Sequence, residues 1–216
     1  MMEYTIKEVF KKEDTKTINL LFKYLKLLLK WHDIRNIVSS SNEQYIIKRE
    51  IYDSYMLNNY LIGNSYTDIG SGGGLPGIII AILNPSKKVT LIDRKTTFVD
   101  FLTIAKSELY LDNVDIIHRD VLKSQAHFVT DAVLLKNFSN KVISKMDFET
   151  KFTYLMKLIK KSKQVSKAYM LTGSPVLKLS EDCMNEFNVN IHEIFSPFFE
   201  SNRVVAEVKF ENTIDS

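Results

Sequence analysis

The chain has 216 residues, of which 45% are hydrophobic and 25% charged, with a formal net charge of +3. That balance suits one ordinary globular core with room for a small appendage, and no apolar run approaches the roughly twenty residues of a membrane span. The opening MMEYTIKEVFKKED is charged, unlike a secretory signal, and the single cysteine, Cys183, excludes an internal disulfide framework.

The four histidines are scattered, and no Cys/His cluster has zinc-site spacing. Neither a membrane nor a metal is therefore an expected partner, and a reducing cytoplasm is the expected compartment. Charge is unevenly spread. Residues 136–169 hold nine lysines against Asp147 and Glu149, a net of +7, whereas residues 170–216 carry three basic and eight acidic residues, a net of −5. The first segment is a candidate polyanion-facing patch, with a solvated helix face as the plainer alternative.

Ile18, Leu21, Phe22, Leu25, Leu28 and Leu29 recur at helical spacing and predict an amphipathic helix over 17–31, with Lys16, Lys23, Lys26 and Lys30 mostly off its stripe. A polar link, 36–42, follows, then a second predicted helix over 43–60 carrying Lys48, Arg49 and Asp53. Residues 1–62 thus read as a helical extension ahead of one compact unit, 63–216.

The stretch Tyr66–Gly77, YTDIGSGGGLPG, holds five of the seven glycines. Backbone so rich in glycine turns sharply and lets something approach where a Cβ would collide. A strand over 66–69 precedes it, and Pro76 suits the first turn of the apolar helix 77–83. Strand, glycine turn and helix hold a nucleotide-like ligand at the carboxyl end of an open α/β sheet. Gly72-x-Gly74-x-x-Gly77 formally matches a dinucleotide fingerprint. Asp68-x-Gly70-x-Gly72-x-Gly74 matches the first motif of methyltransferases that use S-adenosylmethionine. The carboxylate of Asp68 favours the second, because it would repel a pyrophosphate but not a sulfonium.

Strand and helix then alternate, which predicts a parallel sheet covered on both faces. The expected strands are 88–92, 114–117, 132–135 and 168–171, with helices over 97–110 and 148–161. Strands 189–195 and 203–210 should close the sheet as an antiparallel edge hairpin, giving the α/β layout of a class I methyltransferase.

Asp93 ends the second strand, nineteen residues beyond Gly74, where an acid takes the ribose hydroxyls of an adenosine ligand. The alternative is a helix cap. Asp120 is a candidate acceptor for the adenine amino group. A register uncertainty of a residue or two leaves Val121 and Leu122 as alternative adenine contacts. Leu75 and Phe98 are candidate apolar walls, or simply core. No nucleophile–base set stands out. Methylation of guanine N7 needs none, because that nitrogen has a free lone pair and no proton to lose, so positioning would suffice. A stacked purine cannot reach a cofactor, so the target would be splayed or flipped from a loop.

Asp68–Gly77, with its Leu75-Pro76-Gly77 extension, resembles the ribosomal small subunit methyltransferase G family, also called GidB. Further matches are Lys30–Asn36, Arg49–Ser54, Leu91-Ile92-Asp93, Phe101-Leu102 and Arg203-Val204-Val205, so the resemblance runs over nearly the full length. It implies S-adenosylmethionine as cofactor, held by Asp68, Gly70, Gly72, Gly74, Leu75, Asp93, Asp120, Val121, Leu122 and Lys136. It also implies methyl transfer to N7 of a guanine in a conserved loop of 16S rRNA near the decoding region, with naked RNA or the small ribosomal subunit as partner. Lys23, Lys30, Arg49 and Arg203 are the candidate RNA contacts. Nothing in the sequence demands more than a monomer.

The departures fall on the substrate side. Lys136 stands where the family has Arg, Thr172 where it has Lys, Glu50 where it has His, and Thr97-Phe98 where basic residues are usual. They leave two alternatives open: a methyltransferase-like rRNA binder without turnover, or, on the dinucleotide fingerprint alone, a nicotinamide-dependent oxidoreductase.

Overall fold

The computed structural model describes residues 4–123, 127–138, 141–162, 164–199 and 203–210. Seven strands form one sheet: β1 (Ser65–Ile69), β2 (Lys88–Asp93), β3 (Val114–His118), β4 (Ala132–Lys136), β5 (Lys167–Thr172), β6 (Val189–Ile194) and β7 (Arg203–Lys209). Their order is β3-β2-β1-β4-β5-β7-β6. All pairings are parallel except those of β7, which inserts antiparallel between β5 and β6. The expected edge hairpin is present.

Alternating side chains feed two cores, as the pleat requires. Tyr66, Leu91, Leu134 and Tyr169 face one, which also takes α2 (Thr15–Arg35), α5 (Gly77–Leu83) and α6 (Thr96–Leu109). Ile69, Ile92, Val133 and Met170 face the other, under α7 (Phe148–Lys160) and α8 (Glu181–Glu186). Because burial follows strand parity, even residues of β4 look toward the N-terminal helices and even residues of β5 toward α7.

α2 outruns its predicted ends and presents a different face. Asp14 caps it, accepting from Thr17 N–H at 2.8 Å, and Asn36 ends it in the left-handed conformation with φ 50°. Its inward residues are Thr17, Leu21, Tyr24, Leu25 and Leu28. Phe22, expected inside, is 49% exposed beneath Lys26. The polar hydroxyl of Tyr24 hid it from a hydrophobicity pattern, yet its ring is fully buried.

The predicted helix 43–60 is four segments: α3 (Glu43–Tyr45), a π turn (Ile46–Ile51), α4 (Tyr52–Leu57) and a 3₁₀ turn (Asn58–Tyr60). Five of the six π-turn side chains are buried, Lys48 and Glu50 included, more than one α-helical face takes inward. Such wide turns recur at functional sites. The short α1 (Ile6–Val9) and α8 carry too few residues to show a period. Among the described residues, no helix is long and apolar enough to cross a membrane.

Candidate active site

β1 delivers Asp68 beneath the glycine turn rather than into open space. It is 1% exposed, and its Oδ2 accepts the Gly77 N–H at 3.0 Å, stitching the strand end to the first residue of α5. Burial pushes the Asp68 carboxyl up to about 7; the Gly77 hydrogen bond opposes that shift and the charge of Asp93 adds to it. Ile78 N–H donates to the Gly74 carbonyl at 2.7 Å. The first N–H groups of α5 are therefore already taken.

The turn needs its glycines. Gly70, Gly72 and Gly74 sit at φ 70°, 53° and 86°, in the region side chains avoid. A Cβ on Gly70 would come within 2.4 Å of the Phe138 ring. Gly70 and Ser71 donate to the Ile92 carbonyl at 2.8 and 3.1 Å, and Tyr24 Oη donates to the Gly73 carbonyl from α2. Asp93 binds both flanks: Oδ2 accepts from Gly72 N–H and Oδ1 from Lys95 N–H, each at 2.9 Å. Each oxygen keeps a further acceptor position.

Above this turn, at the carboxyl ends of β1, β2 and β4, lies a cavity of about 360 Å³. Gly70, Gly72, Leu75, Asp93, Asp120, Val121 and Lys136 line it, as does Phe98. The register after β3 is thereby fixed: Asp120 Oδ1 accepts from Leu122 N–H at 3.1 Å, and the turn sends Leu122 into the second core instead. Leu122, Gly74 and Asp68, expected as cofactor contacts, are not among the lining residues, and Asp68 ties β1 to α5. Gly74 turns inward, where a Cβ would meet Ile78 and Leu102.

Lys136 reaches the cavity wall, but its ammonium is held elsewhere. Strand parity points it at the π turn, where Nζ donates to Glu50 Oε2 at 2.6 Å and the Glu50 carbonyl at 3.1 Å, with Ser54 Oγ at 3.5 Å. Both partners are 6% exposed. Burial works against the Glu50 carboxylate, but Lys136 and Ser39 hold its pKa below the ordinary value. Arg49 and Arg203, expected to face RNA, converge instead on the fully buried Asp53, at 3.6 and 3.0 Å. Burial still leaves the Asp53 carboxyl raised. Lys23 is exposed but pairs with Glu108 at 3.3 Å, and Lys30 is exposed on α2.

Several lining residues escaped the sequence reading: Ile37 and Val38 from the link after α2, Glu50, Arg119, and Asn137-Phe138 beyond β4. The apolar Ile37-Val38 pair inside a polar link was the one local signal. In the Lys-rich segment, Lys136, Lys157 and Lys167 are paired with Glu50, Glu186 and Glu207, while Lys141, Lys145, Lys160 and Lys161 are exposed. Lys163 lies outside the described residues. Among the described residues, no three His, Cys, Asp or Glu side chains gather as a metal site.

A sequence profile described as rRNA small subunit methyltransferase G, GidB, matches residues 17–171. The chain belongs to this family. A Fusobacterium nucleatum protein named ribosomal RNA small subunit methyltransferase G is 31% identical over 191 residues, covering 86% of this chain and 80% of the relative. The relative of the same name from Pseudomonas syringae pv. syringae is 37% identical over 120 residues, 56% of each chain. The chain thus spans a little over half the length of such Pseudomonas relatives. The fold is that of class I methyltransferases. The structure resembles cofactor-bound Rv0187 from MTB, with TM-score 0.59, 13% identity and 95% of each chain covered. It also resembles a human methyltransferase 10 domain containing protein, with TM-score 0.57, 12% identity, and 90% of this chain and 98% of that one covered.

Proposed function

We propose that this chain methylates N7 of a guanine in 16S rRNA, on naked RNA or within the small ribosomal subunit, using S-adenosylmethionine. One observation carries the choice of cofactor: the α5 N-terminus is closed by the Asp68 carboxylate and the Gly74 carbonyl. A pyrophosphate needs those N–H groups free, which weighs against the nicotinamide alternative. A sulfonium cation needs none of them and is favoured by nearby carboxylates. The cradle fits in shape as well, because a Cβ added to Gly72 would meet nothing nearer than the Gly70 carbonyl at 3.9 Å.

Within this reading Asp93 would hold the ribose hydroxyls through its spare acceptor positions. Asp120 and Val121 would border the adenine, and Leu75 and Phe98 would wall the cavity. When bound, S-adenosylmethionine supplies an electrophilic methyl carbon: the N7 lone pair forms the new C–N bond, and the C–S pair departs to sulfur. No proton is lost in that transfer, so it needs no general base. The protein's contribution is alignment and exclusion of water. Exposed Lys141, Lys145, Lys160, Lys161 and Lys30 supply RNA contacts.

The second reading, rRNA binding without turnover, draws on Lys136, whose ammonium is already engaged by Glu50 and Ser54. Mass spectrometry of 16S rRNA from wild-type and deletion cells separates the two. Loss of one 7-methylguanosine in the deletion strain is expected; its retention would refute the enzymatic reading.

A further inference from the structure

A second cavity of about 280 Å³ opens beside the first, at the carboxyl ends of β4 and β5. Asn137 and Phe138 line both cavities. Asn137 stands in the left-handed region at φ 54°, a conformation asparagine tolerates better than most residues. The next residue, Phe138, lies against Gly70 and borders both cavities.

The remaining lining is aromatic and apolar with a few polar groups. Phe148, Phe152 and Pro175 line it, Thr172, Lys151 and Arg203 are the polar members, and among the described residues no carboxylate lines the space. Arg203 is tied through Nε to Asp53. Lys151, on the second turn of α7, is different. It is half-buried, and burial holds its pKa below the ordinary 10.5, with no offsetting anion among the described residues. A cation among aromatic walls with no counter-charge is suited to a ligand that is flat and presents an acceptor.

We infer that this second cavity receives the target guanine, its N7 directed to the boundary with the cofactor cavity that Asn137 and Phe138 border, and Lys151 donating to its 6-oxo group. The inference rests on the methyl-transfer reading above and adds to it the place and the selectivity of the base. Ammonium N–H meets the lone pairs of a 6-oxo group, whereas the 6-amino group of adenine would set donor against donor. Thr172, on an even position of β5, is a second polar contact on the same wall.

The test uses the full-length protein and small subunits from cells lacking its gene. Lys151→Met, Lys151→Arg and a control, Lys88→Met at the opposite end of the sheet, are compared for methyl transfer. Affinity for S-adenosylhomocysteine is measured by calorimetry. The ¹³C-methyl resonance of Met170, which lines the cavity, is followed on adding guanosine or adenosine monophosphate. Lys151→Met should lower kcat/KM at least tenfold with unchanged S-adenosylhomocysteine affinity and unfolding midpoint. Lys151→Arg should recover part of the rate, and Lys88→Met should behave as wild type. Guanosine monophosphate should shift Met170 more than adenosine monophosphate does, and Lys151→Met should abolish that preference. Wild-type kcat/KM in Lys151→Met, or an unchanged preference at Met170, overturns the inference. Should wild type transfer no methyl group at all, the methyl-transfer reading fails and the Met170 arm decides alone: selective shifts uphold a purine site, and their absence overturns it.

Discussion

Replacing Lys136 by Met tests whether the Glu50–Lys136 pair holds the N-terminal helices to the sheet. The side chain keeps its length and loses its charge, leaving Glu50 buried with Ser39 Oγ, at 3.1 Å, as its remaining side-chain donor among the described residues. At 2.6 Å and an effective dielectric of about 20, the gross attraction is roughly 6 kcal/mol. Most of it offsets desolvation, so the intact pair adds little net stability. Removing one partner is different, because the stranded charge costs about 3–5 kcal/mol, a large part of the roughly 5–15 kcal/mol that holds a domain folded. Urea unfolding at pH 7.5, followed by circular dichroism, should show that loss. Glu50→Gln/Lys136→Met should recover much of it, with a coupling energy of about 2 kcal/mol. The pH dependence supplies an independent sign. Without Lys136, burial raises the folded-state pKa of Glu50 above its unfolded value, so the deficit of Lys136→Met should shrink as pH falls toward 5. A deficit below about 1 kcal/mol, or strict additivity in the double variant, would refute the reasoning.

Three further outcomes follow from the site. The Asp68 carboxyl is raised from its ordinary 3.8 to about 7, so its contribution to stability is complete below pH 4 and is lost as pH rises through 7. Asp68→Asn should flatten the stability profile between pH 5 and 8, and an unaltered slope in chemical denaturation would count against it. Asp93→Ala removes the acceptor for Gly72 and Lys95 and should weaken S-adenosylhomocysteine binding about tenfold or more. Unaltered affinity by calorimetry would return Asp93 to the role of a turn former. Lys160→Glu/Lys161→Glu should weaken rRNA binding and reduce the slope of log K against log salt by roughly 0.7–0.9 per lost phosphate contact; filter binding at several salt concentrations would expose an unchanged slope.

The glycine turn and the strand end beside it were legible because backbone conformation writes itself into local sequence. Gly70, Gly72 and Gly74 occupy left-handed conformations, and Asp93 ends its strand where the spacing placed it. Strand positions were equally readable, since alternation and apolar runs mark them within a residue or two. What the local sequence did not carry were side-chain directions set by distant partners. Asp68 looked like a ligand contact and is a tie between strand and helix. Arg49 and Arg203 looked like RNA contacts and meet at Asp53, 150 residues from Arg203 in the chain. Lys136 looked like a charge facing the cofactor and is taken by a residue 86 positions earlier. No local pattern encodes such pairings, and the π turn that presents Glu50 has no recognisable sequence period.

The three cations Arg49, Lys136 and Arg203 and the two anions Glu50 and Asp53 form a group, buried except for the half-buried arginines, that spans both cavities: Lys136 and Glu50 line the first, Arg203 the second. Its stability balance is poor. Asp53 keeps a raised pKa despite three nearby cations, and its Oδ1 has no hydrogen-bond partner among the described residues. Well-packed apolar residues in such positions are often more stable than buried ions, so stability alone does not account for the group. Geometry does. The ion pairs form only where the π turn, the start of α4, the end of β4 and the start of β7 meet, and in the methyl-transfer reading those elements carry the walls that hold two reactants in line. Methyl transfer without a general base depends on alignment, and displacement of about 1 Å costs on the order of a hundredfold in rate. A variant that keeps the fold but loosens this group, such as Glu50→Gln/Lys136→Met, should therefore lower kcat far more than it weakens S-adenosylhomocysteine binding. A proportional loss of both would mean that the ions serve the cofactor cradle alone.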